Sequence, residues 1–211
     1  NKYIGLSVWN YIPNIVNKNF INSELKYKPL NDGEIFKFIN ICLLHKKKNI
    51  DLLINAFYIL SMDLDNIILD IGGSGPDKER LINLVNKLGI QNKVNFLGNL
   101  SRESVLKNIK DSDCFVLSSN YETFGVVLVE ALALGVPVIA TKCGGPESII
   151  NDESGYLVEK NSPLSMANKM MDVYKNKKGF NKKAIRQYCI DNFSEETIVK
   201  RIEDVYKNII S

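Results

Sequence analysis

Two carboxylates eight positions apart, Glu122 and Glu130, frame the start of the most apolar run in the chain, VVLVEALAL from Val126 to Leu134. A helix that is apolar on every side is a buried helix. Glu130 lies in the middle of it, where a carboxylate is costly unless something pairs with it or donates a hydrogen bond to it. Glu122 sits just before the run, and Gly125 falls near the helix start, where unpaired amides and the helix dipole favour an anion. One helix therefore offers an anion site at its tip and a carboxylate partway down its side. A ligand carrying both a phosphate and hydroxyls could use the two together. Each residue also has a plainer reading. Glu130 could be paired with a lysine, Glu122 could merely suit the dipole, and Lys48, beside Lys46 and Lys47, could belong to a solvated basic turn. His45, the lone histidine, reads as a loop residue, and Gly73-Ser74-Gly75 could serve only to make a tight turn.

The elements that must position these residues alternate. Period and turn chemistry predict strands over 36–44, 67–71, 94–97, 114–117, 136–140 and 155–158. Helices are predicted over 49–62, 76–88, 101–110, 126–134, 163–175, 182–191 and 195–209, with a short one opened by Gly144-Gly145-Pro146-Glu147. Residues 1–34 lack a clear period and read as an opening strand plus a linker. Short apolar strands separated by helices imply an α/β fold, a parallel sheet covered on both faces. Ligands bind such sheets beyond the carboxyl ends of the strands. Three strand-to-helix junctions carry suitable small residues: 72–76, 122–125 and 144–146.

Composition narrows the classes. The 211 residues fit one large domain or two small ones, and 45% hydrophobic residues suffice for a core without disulfides. A net charge of +3 and scattered aromatics argue against a nucleic-acid partner. The four cysteines, Cys42, Cys114, Cys143 and Cys189, form no CxxC and read as reduced thiols of a cytoplasmic protein. No metal site is expected: Asp63-x-Asp65 and Asp111-x-Asp113 read as turn formers on the edge opposite the site. No membrane span or secretory leader is read. The chain begins at Asn1 and reads as a piece of a longer protein.

Several motifs in order resemble the retaining glycosyltransferases called group 1 or family 4. These are Ile12-Pro13-Asn14, Lys48-Asn49-Ile50-Asp51, Ile71-Gly72-Gly73-Ser74-Gly75-Pro76, Val94-Asn95-Phe96-Leu97-Gly98, Glu122-x7-Glu130 and Gly144-Gly145-Pro146-Glu147. The resemblance implies the GT-B fold, two Rossmann-like domains facing a cleft, of which this chain is the C-terminal, donor-binding half. It implies a linker over 1–34, a nucleotide-sugar-binding Rossmann-like domain over 35–193 and a crossover helix over 194–211. It also implies residue roles. Glu122 would take hydroxyls of the donor sugar, and the amides of Thr123, Phe124, Gly125 and Val126 would cap the sugar and diphosphate. Glu130 would hold the ribose, Lys48 would neutralise the departing diphosphate, Gly73 would form the glycine turn, and Gly98, Asn99 and Leu100 would lie near the base. The donor would be a nucleoside diphosphate sugar used without a metal or other cofactor. The acceptor, a glycan, lipid or small molecule, would be bound by a missing N-terminal domain, and the full-length protein could sit peripherally at the inner membrane face. One departure stands out: the family commonly has an arginine where this chain has Leu43, a place that His45, Lys46 or Lys47 could fill. Two other readings of the same fold are a nucleotide-sugar epimerase, for which this half is poorly supplied with acids and bases, and a non-catalytic binding or assembly module. The helix over 195–209 carries Ile198, Ile202, Val205, Tyr206 and Ile209 on one stripe, which would be partly exposed or used in self-association without a partner domain.

Overall fold

The computed structural model describes residues 11–27, 33–176 and 179–210, with the side chains of 209 and 210 left aside. Among these residues the strands are β1 (Phe36–Ile41), β2 (Ile67–Gly72), β3 (Val94–Gly98), β4 (Cys114–Leu117), β5 (Val138–Thr141) and β6 (Gly155–Val158). They form one sheet in the order β3-β2-β1-β4-β5-β6, every neighbouring pair parallel. The strand order reverses between β1 and β4, which opens a crevice at the carboxyl edge there.

The helices are α1 (Lys18–Ile21), α2 (Ile50–Ser61), α3 (Lys78–Lys87), α4 (Arg102–Lys110), α5 (Val126–Ala133), α6 (Pro163–Lys175), α7 (Lys182–Phe193) and α8 (Glu195–Ile210). Because successive strand residues face opposite sides, the strands feed two separate cores. Phe38, Leu69, Val116 and Ile139 pack under α2, α3 and α6 with Phe57, Leu81 and Met170. Ile39, Phe115, Leu117 and Val138 pack under α4, α5 and α7 with Ile109, Leu132 and Ile185. That second core takes α5 whole: six of its eight residues are buried, as its all-round apolarity predicts.

The sequence places these elements with small shifts of boundary. The strand predicted over 36–44 ends at Ile41, where its partner β2 also ends at Gly72. The strand predicted from 136 begins at Val138, because the amides of Gly135 and Val136 still bond back to Leu132 and Ala131 and close the end of α5. Pro76 precedes rather than opens α3. Of the opening segment, residues 1–10 and 28–32 lie outside the described residues. The described part shows α1 and no strand, and it is docked: Val16 and Phe20 are buried in the α4–α5–α7 core, and the Val16 amide donates to Phe193 O at 2.9 Å. On α8 only Ile198 of the apolar stripe is buried; Ile202 and Val205 are half-buried, Tyr206 is exposed, and the side chain of Ile209 lies outside the described ones. No helix among the described residues is long and apolar enough to cross a membrane.

Candidate functional site

Lys48 and Glu122, 74 positions apart in sequence, meet at the crevice between β1 and β4. Lys48 ends a three-residue 3-10 turn after β1 (Lys46–Lys48), and Glu122 follows β4. The Lys48 ammonium donates to Glu122 Oε2 at 2.5 Å, and Ser119 Oγ lies 3.4 Å from the same oxygen. The two loops are tied by further hydrogen bonds. The Asn120 amide donates to Lys47 O at 2.8 Å, Ser118 Oγ to Lys48 O at 2.9 Å, and Asn49 Nδ2 to Asn120 Oδ1 at 2.9 Å. Glu122 is further fixed on β5's side. Its amide donates to Cys143 O, its carbonyl accepts from Gly145 N at 2.7 Å, and it forms a parallel bridge with Gly144. Glu147 holds that turn closed, since its carboxylate accepts from the amides of Cys143 and Gly144.

Beside the ion pair lies a cavity of 130 Å³. Its walls include Asn40, Cys42 and Leu43 after β1, Ser119 after β4, and Gly125 and Val126 at the tip of α5. Gly125 takes a left-handed conformation (φ 101°), and no hydrogen bond closes on the amides of Thr123, Phe124 and Gly125 among the described residues. Val126, the first residue of α5, has no intrahelical acceptor for its own amide. Of these four, Gly125 and Val126 line the cavity, whereas Thr123 and Phe124 do not. Burial pushes the Cys42 thiol in the wall up to about 12, against the pull of Lys48. It stays protonated and inert there.

A second, larger crevice of 480 Å³ opens on the other side of Val126, lined by residues 15–19, Arg102, Glu130 and Glu195. Glu130 is 2% exposed. Its partner is not a lysine but Arg102, whose Nη2 donates to Oε1 at 2.6 Å. Oε2 accepts no hydrogen bond among the described residues. Burial raises the Glu130 carboxyl above its ordinary value of 4.5, opposed by Arg102. Raised in the folded state, this group costs stability once ionised; the cost is absent below about pH 4.5 and grows as pH rises through the folded value. Glu130→Gln is therefore expected to raise the melting temperature of the ligand-free chain by about 2 °C at about pH 7.5. The difference should vanish in thermal scans at about pH 4.

Gly73, Gly98, Asn99 and Leu100 line neither cavity and cluster at the ends of β2 and β3. Gly73 has a local reason to be glycine. At φ 114° a Cβ would stand 1.9 Å from Cys42 O, and its amide donates to Gly98 O at 2.7 Å. Asn99 Oδ1 accepts from Ser74 Oγ at 2.6 Å, and the Leu100 side chain fills the space over Gly72. At Gly98 a Cβ would meet open space. Leu43 is 61% exposed. His45 Nδ1 accepts from the Lys47 amide at 3.3 Å, so it caps its own turn. The Asp pairs are turn residues as expected: Asp111 pairs with Lys26, Asp65 with Lys93, and Asp113 accepts from the Lys37 amide. Arg102 is the residue that sequence reasoning passed over. The available signal was its place at the first turn of a helix that starts from the carboxyl edge of the sheet.

The strand order and the loops gathered at its reversal define a Rossmann-like α/β domain of the kind found in GT-B glycosyltransferases. Residues 22–187 match the family described as "Glycosyl transferases group 1", and the chain belongs to that family. It is 32% identical over 176 residues to N-acetyl-alpha-D-glucosaminyl L-malate synthase of Bacillus anthracis, covering 82% of this chain and 45% of the relative. Its fold is similar to that of a glycosyltransferase from Rickettsia africae ESF-5, with TM-score 0.79, 22% identity, and coverage of 95% of this chain and 57% of the other. It is also similar to Anabaena Alr3699/HepE in complex with UDP-glucose, with TM-score 0.72, 22% identity, and coverage of 82% and 49%. The chain spans about half the length of the curated relatives it matches.

Proposed function

We propose that this chain is the donor-binding half of a retaining, family 4 glycosyltransferase. It takes a nucleoside diphosphate sugar, and the sugar passes to an acceptor held by a second domain. The observation that carries this reading is the Lys48–Glu122 pair at a cavity that Gly125 and Val126 of the α5 tip also line. Transfer breaks the bond between the anomeric carbon and the diphosphate oxygen, and negative charge builds on the leaving group. An ammonium and oriented N–H dipoles, fixed before the ligand arrives, stabilise that charge without a metal. In this reading Lys48 leaves Glu122 for the diphosphate, and Glu122 accepts from the sugar hydroxyls. The amides of 123–126 cap the sugar and diphosphate. Glu130 Oε2, lacking a partner, accepts from the ribose. Gly73 shapes the turn beside the nucleotide, and Gly98, Asn99 and Leu100 border the base. The relative crystallised with UDP-glucose makes UDP the first nucleotide to try.

Isothermal titration with UDP, GDP and ADP tests this. One of the three is expected to bind with a dissociation constant below about 1 mM. No heat from any of them at millimolar concentration overturns the proposal.

A further inference from the structure

Arg102 is the least explained charged residue near the site. It starts α4, its side chain is 61% exposed, and its guanidinium lies 5.2 Å from the centre of the Phe20 ring. An exposed arginine usually keeps its guanidinium hydrated, yet this one commits a donor to a carboxylate that is almost wholly buried. It binds one oxygen of Glu130 only. The other oxygen accepts no bond among the described residues, and Glu130 lines the crevice. An arginine that served only to neutralise a buried acid could take both oxygens in a fork. Here the geometry is one-sided, and the vacant oxygen is the one a ligand could reach.

We propose that Arg102 is a positioning residue for the nucleotide. It fixes the Glu130 carboxylate through Oε1 and sets a positive charge against it, so that Oε2 is presented as an acceptor for a vicinal diol. This rests on the donor-binding reading above. The other charged groups around the crevice are Lys18 of α1 and Glu195 of α8. On α7, which also packs against α5, Cys189 donates to Val129 O and Arg186 to Ala133 O, so neither is directed at Glu130. Arg102 is therefore the cation that favours the charged form of this acid against its burial. Without it, burial acts on the carboxyl unopposed, and the group protonates at higher pH. A protonated Glu130 is a poorer acceptor for two hydroxyls.

The test uses the whole chain and whichever of UDP, GDP or ADP it binds, titrated between about pH 5.5 and 8.5. Four proteins are compared: wild type, Arg102→Met, Glu130→Gln and the double variant. Affinities are expressed as ratios to wild type, so that protonation of the nucleotide itself cancels. Arg102→Met is expected to weaken binding about tenfold at the acid end and less at the alkaline end. Glu130→Gln is expected to weaken it by a similar factor at every pH, and the double variant to be no worse than Glu130→Gln alone. A pH-independent loss in Arg102→Met, or a further loss when it is added to Glu130→Gln, overturns the proposal and makes Arg102 a direct ligand contact or a structural residue. Unchanged binding in Arg102→Met overturns it too and leaves the donor-binding reading standing. If wild type binds none of the three nucleotides, both fall together.

Discussion

Lys48→Ala should lower the affinity of this chain for UDP about 10- to 100-fold while leaving its affinity for uridine unchanged. The lysine is proposed to meet the diphosphate alone, so its loss should be felt only by ligands that carry one. Two effects add. A charge-assisted hydrogen bond to the phosphate disappears. The Glu122 carboxylate, left with only the long hydrogen bond from the Ser119 hydroxyl at 3.4 Å, faces an anion without its cation. The fold should hardly notice. The pair is partly solvated, with 28% of the lysine side chain and 16% of the glutamate side chain exposed, and pairs of this kind contribute under about 1 kcal/mol to stability. Titration of UDP and uridine into the variant, beside a thermal melt, separates the outcomes. An equal loss for both ligands would mean that the lysine shapes the loop and does not bind phosphate.

The second large effect is steric. Gly145→Ala is expected to destabilise the chain by about 3 kcal/mol, a fall in melting temperature of about 6 to 12 °C. A Cβ on Gly145 would stand 2.2 Å from Phe124 O and 2.4 Å from Phe124 C and Cα. Those are backbone atoms, so no side-chain rotation relieves the clash. Phe124 cannot retreat easily, because its ring is buried against Phe193 at 6.0 Å between centroids. The chain must open between β5 and the tip of α5, and the amides proposed to cap the diphosphate move with it. Nucleotide binding should therefore fall together with stability. A melting temperature within about 2 °C of wild type would show that the turn yields and that the glycine is not required for this approach.

The fold was legible because each local signal agreed with the whole. β4, β6 and α6 lie where alternation and turn residues put them, and Ser101 caps α4 through the Ser104 amide as its residue type predicts. The misplaced boundaries are those decided by long-range partners, such as the end of β1 and the start of β5. The site was legible to a different depth. Glu122, Glu130 and Gly125 stand out because acids and glycine beside an apolar run are locally expensive. Lys48 stands out much less by residue type, among three consecutive lysines; the family motif picks it out, and the β1–β4 contact pairs it with Glu122. Arg102 carries no local anomaly at all. A cation in the first turn of an amphipathic helix looks like any solvated residue, and its partner lies 28 positions further along.

The bonds from Asn120 and Ser118 to the Lys47 and Lys48 carbonyls have a dynamic consequence. They stitch the two halves of the sheet together at the one seam where the winding changes direction. Loops that a ligand must order on arrival weaken its capture. Here folding itself has already set the gap, so an arriving molecule meets a stiff jaw and spends little of its attraction on closing it.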